Sequence, residues 1–529
     1  MMNRRRFLAF SACGAGALAS GKAFSAVPSF LKSKKRRPNI LLIMTDDMGF
    51  SDIGCYGGEI RTPNLDRLAQ SGLRFTQFYN AARCCPSRAS LLTGLYPHQA
   101  GMGDMVRTDD QSGPYQGYLN ERCVTIAELL GRAGYATLMS GKWHVGERRP
   151  NWPTDRGFEK YFGLISGAAN YFDIERDRTG RARRQMALDD KPYHPPKQGF
   201  YMTEAVTDRA VDFLGSHGSG ERPFFLYVAY TAPHWPLHAL PEDIKKYMGQ
   251  YDRGWDVLRG ERYGRQLEMG VIDGRWEISP RDDEVTPWQD VRDKKGMAAK
   301  MEVYAAQIDC MDRGIGRILQ KLESLGKAEN TLILFLSDNG GCHEDGPWGF
   351  DDRNNGLPPG GADSYMSYGR SWANLSNTPF RLFKHWVHEG GISTPLIAAW
   401  PGRVEHPGTV TRQIGHVVDI MATCCDAAGI PYPDTFKGRR ITPMEGRSLV
   451  PVFKGRRRGG HEALFWEHEG SRAVRRGKWK LVSAEQGKWE LYDMENDRTE
   501  LNNLAGQVPE RVHELEKLYQ NWAGRCGVK

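Results

Sequence analysis

The chain has 529 residues, of which 40% are hydrophobic, and these values suit a large globular protein with a sizeable core. The net charge is +8, but nine basic and no acidic residues lie in positions 1–37, so the remainder carries −1, which argues against nucleic-acid binding by the fold. After the N-terminus there is no apolar stretch of about 18 residues, so we expect no membrane span in the mature protein.

The N-terminus has the pattern of an export signal. Arg4-Arg5-Arg6 is followed by Phe7-Leu8 and by a weakly apolar run rich in Ala and Gly, as in twin-arginine signals. The sequence therefore predicts a twin-arginine signal peptide over 1–26, a basic linker over 27–37 and a periplasmic or secreted mature protein. The alternative is a basic tail without a targeting role.

Four short apolar runs each end abruptly in polar residues. The runs cover 40–44, 136–139, 224–229 and 332–336, and they lead to Asp46-Asp47, Lys142-Trp143-His144, Pro233-His234 and Asp338-Asn339. Near-continuous apolar runs are typical of parallel strands buried on both faces, and helical patterns lie between them, as over 124–134 and 301–325. We therefore predict an α/β fold with a large, mostly parallel sheet flanked by helices, whose polar strand ends converge on one ligand site.

Two further regions complete the predicted architecture. Residues 245–300 are polar and interrupted by Gly and Pro, which predicts a long excursion over the surface. Beyond residue 455, four short strand patterns and a closing helix predict a small C-terminal antiparallel sheet with one helix. The expected domains are a catalytic domain over 38–455 and a C-terminal subdomain over 456–529.

One short motif carries the chemistry. Cys84-Cys85-Pro86-Ser87-Arg88 is followed by Leu92-Thr93-Gly94. Pro86 suits the first turn of a helix, which would place Cys84 at an N-terminus whose amides favour an anion.

This motif resembles the signature of the sulfatase family in the alkaline-phosphatase superfamily, Cys-x-Pro-Ser-Arg followed by Leu-Thr-Gly. The resemblance implies that a separate maturase oxidises Cys84 to formylglycine (3-oxoalanine), the nucleophile. Cys85, at the variable position, is expected to be a packing thiol.

The resemblance also implies a metal site. The segments from Pro38 to Gly49 and from Leu336 to Gly341 are similar to the two metal-binding strands of sulfatases. It assigns one Ca²⁺ to Asp46, Asp47, Asp338 and Asn339, together with modified Cys84. A set of carboxylate and amide oxygens is what a hard cation prefers, whereas zinc prefers imidazole or thiolate.

Three more segments resemble sulfatase motifs. They are Gly141-Lys142-Trp143-His144, Ala232-Pro233-His234 and Lys384 ahead of Glu389-Gly390-Gly391. The implied reaction is sulfate-ester hydrolysis, in which the cation and Arg88 favour ionisation of one hydroxyl of the hydrated nucleophile. Lys142, Lys384 and the cation neutralise the sulfuryl oxygens. His234, with Lys384, would protonate the leaving group, and His144 would deprotonate the second hydroxyl to expel sulfate.

Two alternative functions remain open at this point. The same nucleophile would serve a hydrolase of phosphate diesters or phosphonate monoesters, and an unmatured protein would only bind sulfated glycans. The substrate is expected to be an aryl sulfate or a sulfated saccharide. Five aromatic residues are candidates for stacking on its ring: Tyr171, Phe172, Trp255, Trp348 and Trp372.

Overall fold

The structure, a computed structural model, describes residues 37–107, 112–176, 184–217 and 220–529, and residues 37–529 cluster as one compact unit. The expected signal peptide and all of the linker except Arg37 lie outside the described residues. Within the described residues, none of the helices combines the length and the apolar character that a membrane crossing requires.

A mixed sheet of eleven strands forms the centre of the described unit. In chain order its strands are β1 (Asn39–Asp46), β2 (Leu73–Tyr79), β3 (Ala136–Gly141), β4 (Lys160–Leu164), β5 (Met186–Leu188), β6 (Lys191–Tyr193), β7 (Phe224–Pro233), β8 (Thr331–Ser337), β9 (Ser393–Ala399), β10 (Val410–Thr411) and β11 (Gly415–His416). The spatial order is β10-β2-β9-β8-β1-β7-β3-β4-β5-β6, with β11 also paired to β2. Strands β8, β1, β7, β3 and β4 run parallel, whereas β9 is antiparallel to β8 and β2.

Both faces of the sheet are buried, as the apolar runs predict. Along β1, Leu41 and Ile43 join one hydrophobic cluster, while Leu42 and Met44 join the other. Because successive side chains of a strand point to opposite faces, each strand contributes to two cores. This confirms the predicted α/β sheet between two layers of helices.

The helices cover both faces of the sheet. In chain order they are α1 (Pro63–Ser71), α2 (Cys84–Thr93), α3 (Pro97–Ala100), α4 (Ile126–Arg132), α5 (Met202–His217), α6 (Pro241–Ile244), α7 (Gly254–Glu268), α8 (Lys294–Ser324), α9 (Gly369–Ser376), α10 (Glu389–Ile392), α11 (Asp419–Ala428), α12 (Val450–Phe453) and α13 (Pro509–Cys526). Residues of α1, α5, α7, α8 and α9 belong to the cluster on one face, and residues of α2, α4, α11 and α12 to the cluster on the other.

The C-terminal part contains the predicted elements, a small antiparallel sheet and one helix. A two-stranded ribbon, β12 (Thr435–Phe436) and β13 (Arg439–Arg440), precedes it. Four antiparallel strands then follow: β14 (Leu464–His468), β15 (Ser471–Arg476), β16 (Trp479–Ser483) and β17 (Glu490–Asp493). Helix α13 packs its apolar residues, including Leu515 and Trp522, against this sheet.

The predicted surface excursion over 245–300 is wrong. Helix α7 lies within it and buries Trp255 and Arg262 completely. Arg262 pairs with Asp52 and Glu59, each at 2.7 Å, so its charge is neutralised inside the protein. Polar composition concealed a helix with one buried face, because Arg262 on that face is paired with acids far away in sequence.

Candidate active site

The parallel register brings the four polar strand ends to one edge of the sheet. Met44 of β1 lies opposite both Ala229 of β7 and Leu336 of β8, and Gly141 of β3 also lies opposite Ala229. The residues that follow these positions therefore meet just beyond the strand ends. This confirms the predicted convergence at the carboxyl edge of the sheet.

Close approach of β3 and β7 requires a glycine at the end of β3. Gly141 has φ +121°, and a Cβ atom there would lie 1.9 Å from the carbonyl oxygen of Ala229. Only glycine avoids that clash, so the chain can turn directly into Lys142.

Cys84 is the first residue of helix α2 and is 1% exposed. The Ser87 hydroxyl accepts a hydrogen bond from the Ala81 amide at 2.9 Å, which fixes the loop before the helix. Gly94 ends the helix at φ 70°. The motif thus places the predicted nucleophile at a helix N-terminus, fixes the preceding loop and ends the helix.

Arg88 is completely buried and holds Asp338. Its Nε and Nη2 atoms lie 3.0 and 2.8 Å from Asp338 Oδ2, and its Nη1 donates to the Lys142 carbonyl oxygen at 3.1 Å. Its Nη2 is also 3.7 Å from Asp46 Oδ1. Arg88 therefore contacts two predicted metal ligands and also the backbone of Lys142, which directly follows β3.

Each lysine is held by one of the adjacent aspartates. Lys142 Nζ donates to Asp46 Oδ2 at 2.6 Å, and Lys384 Nζ donates to Asp47 Oδ2 at 2.8 Å. All four side chains are at most 2% exposed, so these ion pairs have fixed geometry. Two ammonium groups are therefore held in fixed positions, where they can interact with an anion.

The two histidines occupy different positions in the site. His234 Nδ1 lies 2.6 Å from the carbonyl oxygen of Trp235, which can only accept, so Nδ1 carries a proton. Its Nε2 then faces Lys384 Nζ and Asp47 Oδ2, each at 3.3 Å. His144 lies on the other side, with a ring nitrogen within 4.8 Å of the Cys84 and Cys85 sulfur atoms.

Burial and neighbouring charges shift the pKa values in opposite directions. Burial lowers the pKa of His144 to about 4 and that of His234 to about 3. Burial raises the pKa of Asp46, whereas at Asp47 the effect of burial is outweighed by His234 and Lys384, which lower its pKa. A hydrogen bond from Cys85, with Lys142 and His144 nearby, lowers the pKa of the Cys84 thiol against the effect of burial. Both imidazoles are therefore neutral at neutral pH, and the positive charges among the predicted site residues are those of Arg88, Lys142 and Lys384.

Two of the predicted site residues have unusual backbone conformations. Asp47 has φ 65° and His144 has φ 55°, in the left-handed region that residues with a Cβ rarely adopt. Such conformations persist where the surrounding contacts determine them, and they concentrate at functional sites.

The oxygen atoms at this edge fit a hard cation. Asp46 Oδ1 and Asn339 Oδ1 are buried and have no hydrogen-bond partner among the described residues. Asn339 Nδ2 donates to Asp47 Oδ1 at 2.7 Å, which leaves the Asn339 oxygen available. Buried acceptors without partners, in a set of three carboxylates and one amide, are suitable ligands for Ca²⁺.

Sequence reasoning missed Glu344. Its Oε1 pairs with Arg83 at 3.0 Å, and its Oε2 accepts from Trp235 Nε1 at 2.8 Å, so it fixes the residues beside Cys84 and His234. Arg83 and Lys384 lower its pKa although burial opposes this. No motif surrounds Glu344, so no sequence signal identified it.

The aromatic candidates divide between the core and the surface. Tyr171, Trp255 and Trp372 are at most 1% exposed and pack in the core, so their assignment as stacking residues is wrong. Phe172 is half-buried, and Trp348 is 42% exposed.

All ten predicted site residues lie at one edge of the sheet. Residues 38–430 match the family model for sulfatases, and residues 380–521 match that for the C-terminal part of N-sulphoglucosamine sulphohydrolase. The chain belongs to the sulfatase family and is a sulfuric ester hydrolase.

Curated relatives and solved structures agree with this assignment. An uncharacterised sulfatase of Schizosaccharomyces pombe is 34% identical, with 94% of this chain and 95% of the relative covered. An arylsulfatase of Klebsiella aerogenes is 35% identical, with 79% and 93% covered. The crystal structure of Ps i-CgsB in complex with k-i-k-neocarrahexaose has a TM-score of 0.67 and 26% identity, with 92% of this chain and 93% of that chain covered.

Proposed function

We propose that the protein hydrolyses sulfate esters through a formylglycine made from Cys84, with one Ca²⁺ held by Asp46, Asp47, Asp338 and Asn339. The observation that carries this proposal is the position of Cys84. It begins a helix and lies beside His144 and Lys142, at the edge of the sheet where two lysines are fixed by buried aspartates. We also propose export to the periplasm or the medium after maturation by a separate enzyme.

The two absent groups have separate tasks. A hydrated aldehyde made from Cys84 would supply the nucleophilic hydroxyl, and a Ca²⁺ held by Asp46, Asp47, Asp338 and Asn339 would supply positive charge to stabilise the sulfuryl group. The Cys84 sulfur stands in for the nucleophilic oxygen of the matured residue.

The remaining tasks fall to side chains of this chain. Lys142 and Lys384 bind the sulfuryl oxygens, and Arg88 holds the Asp338 carboxylate in place through two hydrogen bonds. His144 accepts a proton at residue 84, because it is the described histidine next to that residue. The proton for the leaving oxygen comes from Lys384, whose Nζ lies 3.3 Å from His234 Nε2, so that the two groups act as a relay.

The substrate class is a sulfated small molecule, an aryl sulfate or a sulfated saccharide. The Klebsiella aerogenes relative is named an arylsulfatase, and the Ps i-CgsB structure contains a neocarrahexaose. Both names support the proposal, and neither decides between the two substrate types.

The rival function is hydrolysis of phosphate diesters or phosphonate monoesters. We would compare 4-nitrophenyl sulfate with bis(4-nitrophenyl) phosphate, which share a leaving group, on protein produced together with a maturase. We expect a higher kcat/KM for the sulfate, loss of both activities in Cys84→Ala, and retention in the matched variant Cys85→Ala. A higher kcat/KM for the phosphate would favour the rival.

A further inference from the structure

A second group of metal-binding side chains lies apart from the predicted calcium ligands. His385 directly follows Lys384, His468 ends β14, and Glu469 lies in the turn between β14 and β15. His385 Nδ1 is 2.7 Å from Glu469 Oε2, and His468 Nε2 is 3.7 Å from Glu469 Oε1. One ligand atom from each residue lies within 4.8 Å of the other two.

His468 lacks the partners that a buried imidazole requires. Its side chain is 0% exposed, and neither of its ring nitrogens has a hydrogen-bond partner among the described residues. An unsatisfied buried polar group costs about 1–3 kcal/mol, so its persistence calls for an explanation. A metal ion between His468 and Glu469 would give one nitrogen a partner.

The ionisation states also suit a metal. Burial and the Arg83 charge lower the pKa of His468 to about 4, so the neutral ring offers a lone pair at neutral pH. The hydrogen bond from His385 lowers the pKa of Glu469 to about 2, so its carboxylate is charged. Arg83, whose charge acts on both His468 and Glu469, is paired with Glu344 at 3.0 Å, which limits its repulsion of an ion.

We propose that His385, His468 and Glu469 bind one divalent transition-metal ion of the Zn²⁺ type. Two imidazoles and one carboxylate form a set of ligands of intermediate softness, which favours zinc over calcium. The His385 and Glu469 side chains are 17% and 40% exposed, so a further coordination position faces solvent. The ion would join the loop that carries Lys384 to the β14–β15 turn.

The test measures Co²⁺ binding to the chelator-treated full chain in saturating Ca²⁺, which occupies the oxygen site. We expect one Co²⁺ per chain, with visible absorption bands of a site containing nitrogen ligands, and its displacement by Zn²⁺. Glu469→Gln and His385→Ala change partly exposed side chains, and each should weaken Co²⁺ binding at least about tenfold.

Three control variants locate the ion. Glu462→Gln removes a carboxylate that is 76% exposed, His406→Gln removes an exposed histidine, and both should bind Co²⁺ as the wild type does. Cys85→Ser tests the competing group formed by Cys84, Cys85 and His144. The proposal is overturned if no Co²⁺ binds beyond the Ca²⁺ site, if Glu469→Gln and His385→Ala bind it normally, or if Cys85→Ser alone abolishes binding.

Discussion

The side chain of Asp47 contacts both an amide and two basic groups of the predicted site. Its Oδ1 accepts from Asn339 Nδ2 at 2.7 Å, while its Oδ2 faces Lys384 at 2.8 Å and His234 at 3.3 Å. One carboxylate therefore contacts a proposed metal ligand and both members of the proposed proton relay. The Asp47 backbone that carries this side chain is left-handed, at φ 65°.

The proton relay predicts a dependence on the leaving group. His234→Ala should lower kcat about 10²–10⁴-fold for an alkyl sulfate, whose leaving oxygen must be protonated, and much less for 4-nitrophenyl sulfate, because that phenolate leaves without a proton. Lys384→Ala should lower kcat for both substrates, because Lys384 also binds the sulfuryl oxygens, and the loss should be larger for the alkyl sulfate. Lys142→Ala is the matched control, since it should affect both substrates equally. The relay would be contradicted if each of the three variants lost activity by the same factor with the alkyl sulfate and with 4-nitrophenyl sulfate.

The oxygen site predicts stabilisation by calcium. Ca²⁺ at about 100 times its Kd should raise the free energy of unfolding by about 2.7 kcal/mol and restore the activity of chelated enzyme. Asp46→Asn should lose the calcium-dependent shift in Tm, whereas Asp190→Asn, at an exposed position, should keep it. A shift that survives in Asp46→Asn would place the calcium elsewhere.

At the element scale, α10 shows what the Glu389-Gly390-Gly391 resemblance does in this chain. Glu389 is completely buried and pairs with Lys480 at 3.0 Å and Arg498 at 2.8 Å. Lys480 also pairs with Glu500 at 2.7 Å. The acid of this motif therefore attaches the catalytic sheet to the C-terminal strands and has no contact with the predicted nucleophile.

This network predicts an acid-dependent loss of stability. Burial alone would raise the pKa of Glu389, but Lys480 and Arg498 lower it from 4.5 to about 2. Because the folded pKa is the lower one, the stabilisation is complete above pH 4.5 and is lost as the pH falls towards 2. Glu389→Gln should cost about 3–5 kcal/mol at neutral pH and flatten this acid limb in denaturant titrations. Glu462→Gln should change neither the free energy of unfolding at neutral pH nor its decrease at acid pH. If Glu389→Gln kept the wild-type decrease at acid pH, the acid-dependent loss of stability would not come from Glu389.

Local sequence patterns predicted the central strands well, because burial on both faces is the main cause of their apolar composition. The apolar runs of β1, β3, β7 and β8 are buried on both faces, and their length and composition follow from that alone. Helix α7 was missed because its burial depends on pairing between Arg262 and acids near residue 52, and no local pattern encodes such pairing. Glu344 was missed for the same reason.

At the scale of the whole molecule, the C-terminal strands complete a core that the catalytic part begins. Trp466 Nε1 donates to the Asn80 carbonyl oxygen at 2.8 Å, and Trp466 packs in one cluster with Tyr79 and Ile392. The boundary proposed at residue 455 therefore crosses a shared core.

A truncated chain tests that dependence. We expect residues 38–455 alone to lack a cooperative thermal transition, since the cluster around Tyr79 and the charge of Glu389 would be exposed. The control is the chain from residue 38 to the end, which should unfold cooperatively. A cooperative transition in the truncated chain would show that the catalytic part folds alone.

The central claim concerns the chemical state of residue 84 in the native protein. Mass spectrometry of a peptide that spans Cys84 and Cys85 distinguishes the two possibilities, because an aldehyde is lighter than the thiol and reacts with hydrazines. We predict the aldehyde at residue 84 and an unmodified thiol at residue 85 in active enzyme. Active enzyme that carries only thiols at both positions would contradict the formylglycine mechanism.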